Sequence, residues 1–436
     1  MTTLRTTAVS IVCLYLCRAG AAHAGDDADA VVDWNAITEQ AVLAAVPPHV
    51  GAPTTLDYAM VHAAVYDAVQ AIEGDFEPFL VDIPGAYGSP QAAAAAAAHD
   101  VLVQLFPAQA ASLDATYADY LASHDLEDDP GLAVGQEAAA GVIANRADDG
   151  SFPEPPPPPF VGGTGPGVWR PTPPASAPMA AEWLATVRPF TLIDPDQFRA
   201  RPPPALTSDR YTRHYKEVKR LGSIDSVRTP EQQAVANFWA LNFGLQWNLA
   251  LRDIATAHVH RISDSSRLFA LANLAAADAA ITSWDSKRHF VFWRPITAIQ
   301  EGDSDGNPRT HGDAGWLPML TTPPYPDYTS GANNVGGAMS RSLALFFGTD
   351  RFRFTFTTDS AIPGPRTRTF ERFSDAAQEL VDARVYHGVH FRFADTAART
   401  QGRRVASWVF KHYLRPVCDH DDDRHDARGE EVDHAE

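Results

Sequence analysis

Apolar residues recur at helical spacing along most of the chain, and this pattern predicts an all-α protein. In the segment 56–73, for example, Tyr58, Val61, Val65 and Val69 fall on one side of a helix. A helix that buries one apolar side and exposes the other is a typical element of a globular helical protein. Alternating patterns are rare, so few strands are expected.

Other segments carry helix signals of different kinds. The segment 265–284 is a long helix candidate, and its run 268–280 is apolar nearly all round, which predicts a helix buried on most sides. Ser89 and Pro90 are a capping residue and a first-turn proline, and the alanine run that follows them is strongly helix-forming. The sequence 229–232 is a capping-box pattern, and it predicts a helix over 234–243.

The last third of the chain is also predicted to be helical. Helices are expected over 330–347, 373–387 and 395–413, with one short strand or hairpin arm at 351–357. The segment 152–178 differs because it is rich in proline and glycine, which predicts an extended or looped connector.

This connector divides the sequence into an amino-terminal helical block, 25–151, and a carboxyl-terminal helical block, 179–417. We interpret the connector as a covering loop, not as a hinge between independent domains. Trp169 within it is predicted to anchor the loop. The chain has 436 residues, which is ample length to bury a substantial core.

Both ends of the chain differ from these blocks. Arg5 precedes an apolar stretch, and Ala22-His23-Ala24 offers a cleavage site, so residues 1–24 are predicted to form a secretory signal peptide. Residues 418–436 are acidic with interspersed histidines, which predicts a disordered tail. No other run reaches the ~18 apolar residues of a membrane span. We therefore expect an exported protein, periplasmic or extracellular, without a membrane span.

The net charge limits the expected partners, and the cysteine content limits the expected disulfides. The formal net charge of -19 argues against nucleic acid and anionic membranes as partners. Cys13 and Cys17 lie in the predicted signal peptide, so Cys418 alone remains and no intramolecular disulfide is expected in the mature chain. In so acidic a chain, cations that cluster in short motifs are candidates for a binding site.

Three short blocks combine such cations with a Ser-Gly step and a histidine. They are Lys287-Arg-His-Phe-Val-Phe-Trp-Arg294-Pro295, Tyr328-Thr-Ser330-Gly331-Ala-Asn333 and Ala383-Arg384-Val-Tyr-His387-Gly388-Val-His390. Arginine donates in planar pairs, lysine supplies a compact charge, and a Ser-Gly step that opens a helix adds backbone N–H groups. A neutral imidazole can attack or coordinate a central atom. The combination predicts a site for a tetrahedral oxyanion such as phosphate or vanadate.

The spacing of the blocks indicates how these side chains converge. Arg384 and His390 are six residues apart, so a continuous helix would turn them roughly 240° away from each other. Gly388 is well suited to end the helix between them. Pro295 disfavours helix at the preceding residue, so Arg294 is expected to be extended between two helices.

Three carboxylates accompany the blocks. Asp327 is predicted to form a turn before Ser330. Asp382 and Asp395 flank the last block, and we expect them to orient Arg384, Arg392 or His390. A carboxylate in that position would fix the tautomer of a ligand histidine.

The pattern K-x6-R-P, then S-G, then R-x3-G-x-H resembles the vanadium-dependent haloperoxidases and the acid phosphatases of the type 2 phosphatidic acid phosphatase superfamily. Upstream stretches, Val32-Asp-Trp-Asn35, 61–69 and Gly167-Val-Trp-Arg-Pro171, resemble the bacterial haloperoxidase-like branch. The resemblance implies the large helical-bundle fold of that superfamily.

The resemblance also implies roles for single residues. His390 would be the axial vanadium ligand, or the phosphorylated nucleophile of a phosphatase, and Lys287 would polarise bound peroxide. The implied cofactor is vanadate, with phosphate as the alternative in the same site. The oxygens of the anion would be held by Lys287, Arg294, Ser330, Gly331 and Arg384.

One position departs from the pattern of the family. The middle block normally ends in P-S-G-H, whereas here it is Thr329-Ser-Gly-Ala332. The missing histidine serves the family as acid and base, a contribution on the order of 10²–10⁴-fold in rate. Asn333 can donate a hydrogen bond but cannot carry a proton at neutral pH. His289, His311 and His387 are the candidate replacements.

Three functions are therefore compatible with the sequence. The first is a vanadate-dependent haloperoxidase-like enzyme, whose partners are hydrogen peroxide, a halide and a small organic substrate. The second is an acid phosphatase that works through a phosphorylated His390. The third is an oxyanion-binding homologue without catalysis, which Ala332 favours. The oligomeric state does not follow from the sequence.

Overall fold

The computed structural model describes residues 29–47, 49 and 51–417. Within these residues it contains thirteen α-helices and one two-stranded antiparallel sheet, so the prediction of an all-α protein is confirmed. The predicted signal peptide, 1–24, and the predicted acidic tail, 418–436, lie outside the described residues. No helix of the described ranges combines the length and apolar character that crossing a bilayer requires.

The elements follow one another in a simple order. The helices are α1 (Ala30–Leu43), α2 (Thr54–Glu73), α3 (Pro90–Leu105), α4 (Ala110–Ser123), α5 (Gly131–Arg146), α6 (Asp209–Leu221), α7 (Pro230–Phe238), α8 (Phe243–His258), α9 (Ile262–Phe290), α10 (Pro295–Gln300), α11 (Gly331–Phe346), α12 (Phe373–Tyr386) and α13 (Arg392–His412). The strands are β1 (Arg351–Thr357) and β2 (Thr367–Arg372), which pair as a hairpin between α11 and α12.

Most helix boundaries lie where the capping residues predicted them. The Ser89 side chain accepts hydrogen bonds from the first amides of α3, and Thr229 forms the predicted capping box at α7. The predicted helix 234–243 is confirmed only as far as Phe238, where α7 ends. The Asn242 side chain then accepts from the Gly244 amide and caps a new helix, α8, so the chain turns between the two.

The central element is α9, a helix of 29 residues that begins and ends beyond its predicted bounds. It contacts α2 on one side and α11 and α13 on the other. Leu271 of α9 lies in the same buried cluster as Val61 of α2 and Val335 of α11. The amino-terminal and carboxyl-terminal helical blocks therefore share one hydrophobic core, while the exact bounds of the blocks stay a prediction.

The Pro/Gly-rich connector covers the chain that leads into the predicted site. Trp169 is fully buried, and its backbone N–H donates to the Val291 carbonyl at 2.7 Å. The neighbouring Val168 pairs with Phe292 in an isolated antiparallel bridge. Trp169 thus anchors the loop, as predicted, against the residues just before Arg294.

Candidate oxyanion site

The structure brings the predicted site residues together at the ends of helices. Lys287 lies in the last turn of α9, Arg294 directly precedes α10, and Ser330 and Gly331 open α11. Arg384 lies in the last turn of α12, and His390 follows it before α13 begins. Contacts between these segments, described below, show that the helix ends converge.

Local backbone features place each side chain. Val291 takes a left-handed conformation, φ 48°, which ends α9 and lets the chain turn toward Arg294. Arg294 is extended and Pro295 starts α10, both as predicted. Gly388 has φ 76°, and a Cβ there would come within 2.3 Å of the Gly222 carbonyl oxygen. Glycine is therefore required at the break that separates Arg384 from His390.

Arg294 is fully buried and held by three groups. Its Nε donates to the Tyr325 carbonyl and its Nη1 to the Val389 carbonyl, both at 2.7 Å. Nη1 also lies 3.2 Å from Nε2 of His390. Nη2 is buried and has no hydrogen-bond partner among the described residues. Backbone carbonyls thus hold the Nε and Nη1 edge of the guanidinium, and the Nη2 donor is unused.

Lys287 is the second fully buried cation. Its Nζ donates to the Pro326 carbonyl at 2.7 Å and to the Asp327 carbonyl at 3.2 Å. Nζ lies 4.8 Å from the centre of the Tyr325 ring, and the Arg294 guanidinium lies at the same distance from it. Burial and the charge of Arg294 lower the pKa of Lys287 well below its ordinary value. A bound anion would oppose that shift.

His390 is buried against Asp327. Its Nδ1 lies 2.7 Å from Oδ1 of Asp327, and both side chains are almost completely inaccessible. Burial, followed by the charges of Arg294, Arg384 and Lys287, lowers the pKa of His390 well below its ordinary value, so the ring is neutral. We assign its single proton to Nδ1, which donates to Asp327. Nε2 then keeps its lone pair toward Arg294.

Arg384 is half-buried and is oriented by His387. Its Nη1 lies 3.2 Å from Nδ1 of His387, whose Nε2 donates to the Ala236 carbonyl at 2.6 Å. Burial, with a smaller effect of Arg384, lowers the pKa of His387 to about 3, so this ring is neutral and both of its nitrogens are engaged. The Arg384 Nε is buried without a partner among the described residues.

None of the three candidate histidines replaces the one missing at Ala332. His387 orients Arg384 and has no free nitrogen for proton transfer. His289 and His311 are exposed, and within the described ranges no hydrogen bond joins their rings to the site. Their backbone positions explain this, because His289 points outward from the last turn of α9 and His311 lies on a surface loop.

The start of α11 presents its amides instead of capping them. Ser330 occupies the capping position, yet its side chain makes no capping hydrogen bond. The first amides of a helix have no partner within the helix, and they form its positive end. A Cβ at Gly331 would lie 2.9 Å from the ring of Trp284, so only glycine fits there without a shift.

Asp395 and Asn333 complete the wall of the site next to Ala332. The Asn333 amide donates to Oδ1 of Asp395 at 2.8 Å, and Asp395 is fully buried. Oδ2 of Asp395 accepts no hydrogen bond from a described residue. Burial raises the pKa of Asp395 to about 7, against the opposing effects of the Ser330 hydroxyl and Arg384. Asp382, by contrast, pairs with Arg392 at 2.5 Å, as expected.

Two residues of the site carry more weight than the sequence suggested. Tyr325, which no motif pointed to, holds Arg294 through its carbonyl and faces both buried cations with its ring. Asp327 was expected only as a turn former, but its side chain binds His390. The signal that was available for Asp327 is its place three residues before Ser330, in the loop that enters α11.

The donor set fits a tetrahedral oxyanion. Buried guanidinium N–H groups without an acceptor are costly, and both Arg294 and Arg384 have one. Three cations face two carboxyl groups, of which Asp327 is tied to His390. A phosphate or vanadate ion needs hydrogen-bond donors for its oxygens and a nucleophile or ligand for its central atom. The site offers the unused guanidinium donors and the positive end of α11 for the first, and the lone pair on Nε2 for the second.

Known proteins with related sequences point to one family. Residues 267–418, which contain all three blocks, match the family model described as the VCPO second helical-bundle domain. The vanadium chloroperoxidase of Curvularia inaequalis is 28% identical over 273 residues, which is 47% of this chain. That match spans 44% of the length of the chloroperoxidase, less than half of the relative.

Solved structures agree with the sequence matches. The first bacterial vanadium-dependent iodoperoxidase superposes with a TM-score of 0.76 at 26% identity, covering 90% of this chain and 97% of that one. The holo-type bacterial vanadium-dependent chloroperoxidase gives a TM-score of 0.69 at 18% identity, covering 86% and 95%, and thus supports the fold. By sequence over its last third and by fold over most of its length, this chain is similar to vanadium-dependent haloperoxidases.

Proposed function

We propose that the protein is a vanadate-dependent haloperoxidase-like enzyme that oxidises a halide with hydrogen peroxide. The observation that carries this proposal is a buried, neutral His390 beside the charges of Arg294, Arg384 and Lys287, with one nitrogen of each guanidinium buried and without a partner among the described residues. The named relatives, a chloroperoxidase and an iodoperoxidase, support the same chemistry. Bound vanadate would supply activation of peroxide for oxygen transfer to the halide.

The residues of the chain have separate tasks in this proposal. Arg294, Arg384 and Lys287 bind the anion and neutralise its charge in a site that water cannot screen. Nε2 of His390 would hold the vanadate, and Asp327 accepts the hydrogen bond from Nδ1 so that the Nε2 lone pair stays available. Lys287 keeps an N–H free after donating to two carbonyls, and this N–H can polarise a bound oxygen.

A second function uses the same lone pair. Nε2 of His390 could accept a phosphoryl group, with the bond from phosphorus to the leaving oxygen breaking as the bond to nitrogen forms. The absence of an imidazole at Ala332 disfavours alkoxide leaving groups, which need a proton. This activity would therefore be confined to aryl phosphates, whose leaving groups depart as stable anions.

Reconstitution tests these possibilities directly. The purified protein is incubated with orthovanadate and assayed for peroxide-dependent halogenation with chloride, bromide and iodide, and in parallel for hydrolysis of p-nitrophenyl phosphate. We expect vanadate-dependent oxidation of at least one halide, lost in His390→Ala and in Arg384→Ala. Arg353→Ala, which removes an exposed cation on β1, is the matched control and should retain activity.

The other outcomes would replace the proposal. Hydrolysis of the aryl phosphate without halide oxidation would indicate a phosphatase. Vanadate binding without either reaction would indicate a homologue that binds oxyanions and does not turn over. No vanadate binding at all would contradict every function proposed for this site.

We also propose that the protein acts outside the cytoplasm. The support is the signal-like pattern of residues 1–24. Expression of the full chain in a bacterial host, followed by fractionation and amino-terminal sequencing, is expected to give a periplasmic or secreted protein that begins near Gly25. Retention of residues 1–24 on a cytoplasmic product would contradict this location.

A further inference from the structure

We propose that Asp395 is the proton donor and acceptor of the oxyanion site, acting through the Ser330 hydroxyl in place of the histidine that is absent at Ala332. This inference rests on the proposed function only in assuming that an oxyanion binds beside Ser330. It goes further in assigning the acid and base of the reaction to a carboxyl group on a different helix.

The position of Asp395 is the first part of the argument. It lies in the first turn of α13 and faces the first turn of α11. Its partner there is Asn333, the residue directly after Ala332, so the carboxyl group reaches α11 at the turn where the family carries a histidine. The Asn333 amide cannot transfer a proton, but it fixes Oδ1 and leaves Oδ2 as the reactive oxygen.

The unused oxygen is the second part. Oδ2 of Asp395 is buried and accepts no hydrogen bond within the described residues, although the Ser330 hydroxyl interacts with the same carboxyl group. A buried carboxylate oxygen without a donor is costly, whereas a carboxylic acid can satisfy itself by donating. Burial of Oδ2 without a partner thus favours the protonated form, and in the proposed relay this acid donates to the Ser330 hydroxyl.

The Ser330 hydroxyl carries one proton and can therefore couple Asp395 to the bound anion. When Asp395 is protonated, it donates to the Ser330 oxygen, and the Ser330 proton is free to bond the anion. Transfer then moves the acid proton to Ser330 and the Ser330 proton to an oxygen of the bound anion, which leaves a carboxylate at Asp395. The reverse transfer takes a proton from bound peroxide. No other reactant is needed in either direction.

The charges around Asp395 determine when this relay operates. Lys287 faces it from α9, Arg384 from α12, Asp327 from the loop before α11, and Arg392 from its own helix. Burial outweighs the cations and raises the pKa of Asp395 to about 7. A donor with a pKa near the working pH is the most effective for proton transfer in both directions.

Arg384 and Arg392 are the two cations that oppose this effect, and Arg392 is engaged elsewhere. Its guanidinium pairs with Glu217 at 2.8 Å and with Asp382 at 2.5 Å. These two carboxylates hold the Arg392 charge and leave the carboxyl group of Asp395 without an ion pair among the described residues. Burial therefore prevails, and the carboxyl group holds its proton up to pH about 7.

Anion binding gives the first test, independently of turnover. Binding of orthovanadate and of sulfate is measured by calorimetry from pH about 5 to 9. Sulfate keeps a constant charge over this range, so the pH dependence of its binding comes from the protein. For the wild type we expect affinity to fall up to tenfold per pH unit above about 7, because the ionised carboxyl claims the Ser330 proton and repels the anion. Asp395→Asn should lose this component of the pH dependence.

The control and the opposing results separate the two proposals. Asp253→Asn, which removes an exposed carboxyl on α8 that accepts from Thr357 and, among the described residues, has no contact with the site, should behave as the wild type. If the wild type binds neither anion, the proposed function fails. If it binds them and Asp395→Asn leaves the pH dependence unchanged, the oxyanion site stands and the role of Asp395 is contradicted.

Infrared titration gives a second test that needs no anion. The carbonyl stretch of a buried carboxylic acid should disappear as pH rises through about 7, and it should be missing in Asp395→Asn. Ser330→Ala should keep this band, but its anion affinity should no longer depend on the protonation of Asp395. This variant keeps the question decidable even if Asp395→Asn folds poorly, and a Ser330→Ala protein with wild-type pH dependence would contradict the relay.

Turnover gives the third test. We expect Asp395→Asn to lower the peroxidase rate by about 10²–10⁴-fold, the contribution of a positioned acid and base. Ala332→His should recover part of that loss in the Asp395→Asn background, because it restores an imidazole at the family position. A rate for Asp395→Asn equal to that of the wild type across the pH range would contradict the assignment.

Discussion

At the scale of single residues, the site depends on buried charges that other side chains hold in one state. His390 keeps a usable lone pair on Nε2 because its Nδ1–H donates to Asp327 and so holds the proton on the other nitrogen. His387 orients Arg384 by accepting a hydrogen bond from its guanidinium. Such neighbours are far apart in the sequence, so motifs can find His390 and Arg384 but cannot find the groups that orient them.

The Asp327–His390 contact leads to a first prediction. Asp327→Asn should lower vanadate affinity by about 10–100-fold, the usual effect of removing the carboxylate behind a ligand histidine. Equilibrium titration with orthovanadate measures the change. Asp278→Asn is the matched control, because Asp278 is equally buried but its hydrogen bonds go to residues 190–192. Equal affinity losses in both variants would contradict a specific role for Asp327.

The raised pKa of Asp395 leads to a second prediction, for stability. Its pKa is about 7 in the folded protein and near 3.8 when exposed, so between these values the folded state holds a proton that the unfolded state has lost. Its contribution to stability is therefore complete below pH about 4 and declines toward pH about 7. The total is on the order of 4 kcal/mol.

Replacing the Asp395 carboxyl should remove this decline of folding stability with pH. Asp395→Asn should be progressively more stable relative to the wild type as pH rises from about 4 to 8, and urea unfolding at several pH values measures the difference. A stability difference that is constant with pH would show that the carboxyl is ionised throughout. The expected gain also means that this acid lowers stability near neutral pH, a common cost at functional sites.

At the scale of elements, the ends of helices position the chemistry. Lys287, Arg294, Ser330, Arg384 and His390 all lie at or beside a helix terminus. Proline and glycine signals were sufficient to predict the breaks at Pro295 and Gly388. They were insufficient for 234–243, where the break rests on the cap of Asn242 and on a turn that the apolar pattern runs through.

Gly388 provides the prediction at this scale. Gly388→Ala should destabilise the protein more than Gly348→Ala, although both glycines have positive φ. At Gly348 no atom lies within 4 Å of the added methyl group, so only the backbone penalty of about 1–2 kcal/mol applies. At Gly388 the methyl group would also meet the Gly222 carbonyl. Chemical unfolding measures stability, and vanadate titration should show an affinity loss for Gly388→Ala alone.

At the scale of the whole molecule, the two helical blocks and the connector form one support for the site. The sequence predicted the helical class and the covering role of 152–178, because composition and periodicity are local properties. It could not predict that α9 runs through the centre with α2 on one side and α11 on the other. That arrangement arises from packing between segments that no local pattern relates.

Trp169 tests the role of the connector. Trp169→Ala should cost about 3–5 kcal/mol of unfolding free energy, the usual range for a fully buried tryptophan. Alanine keeps the backbone bond to Val291 but loses the buried ring that packs against Phe160 and fixes this segment, so vanadate affinity should fall as well. Trp183→Ala, which truncates a partly buried tryptophan in the following segment, is the control and should leave affinity unchanged. An unaffected affinity in Trp169→Ala would restrict the connector to stability.

The convergence of helix ends has a consequence for how the protein matures. The donors come from chain positions as distant as Lys287 and His390, and each is presented only when its own helix has stopped at the right residue and packed against its neighbours. No partly folded fragment can then assemble a tight oxyanion site. Because ligands stabilise only the state that binds them, dissolved vanadate or phosphate should select the finished tertiary structure and slow its loss.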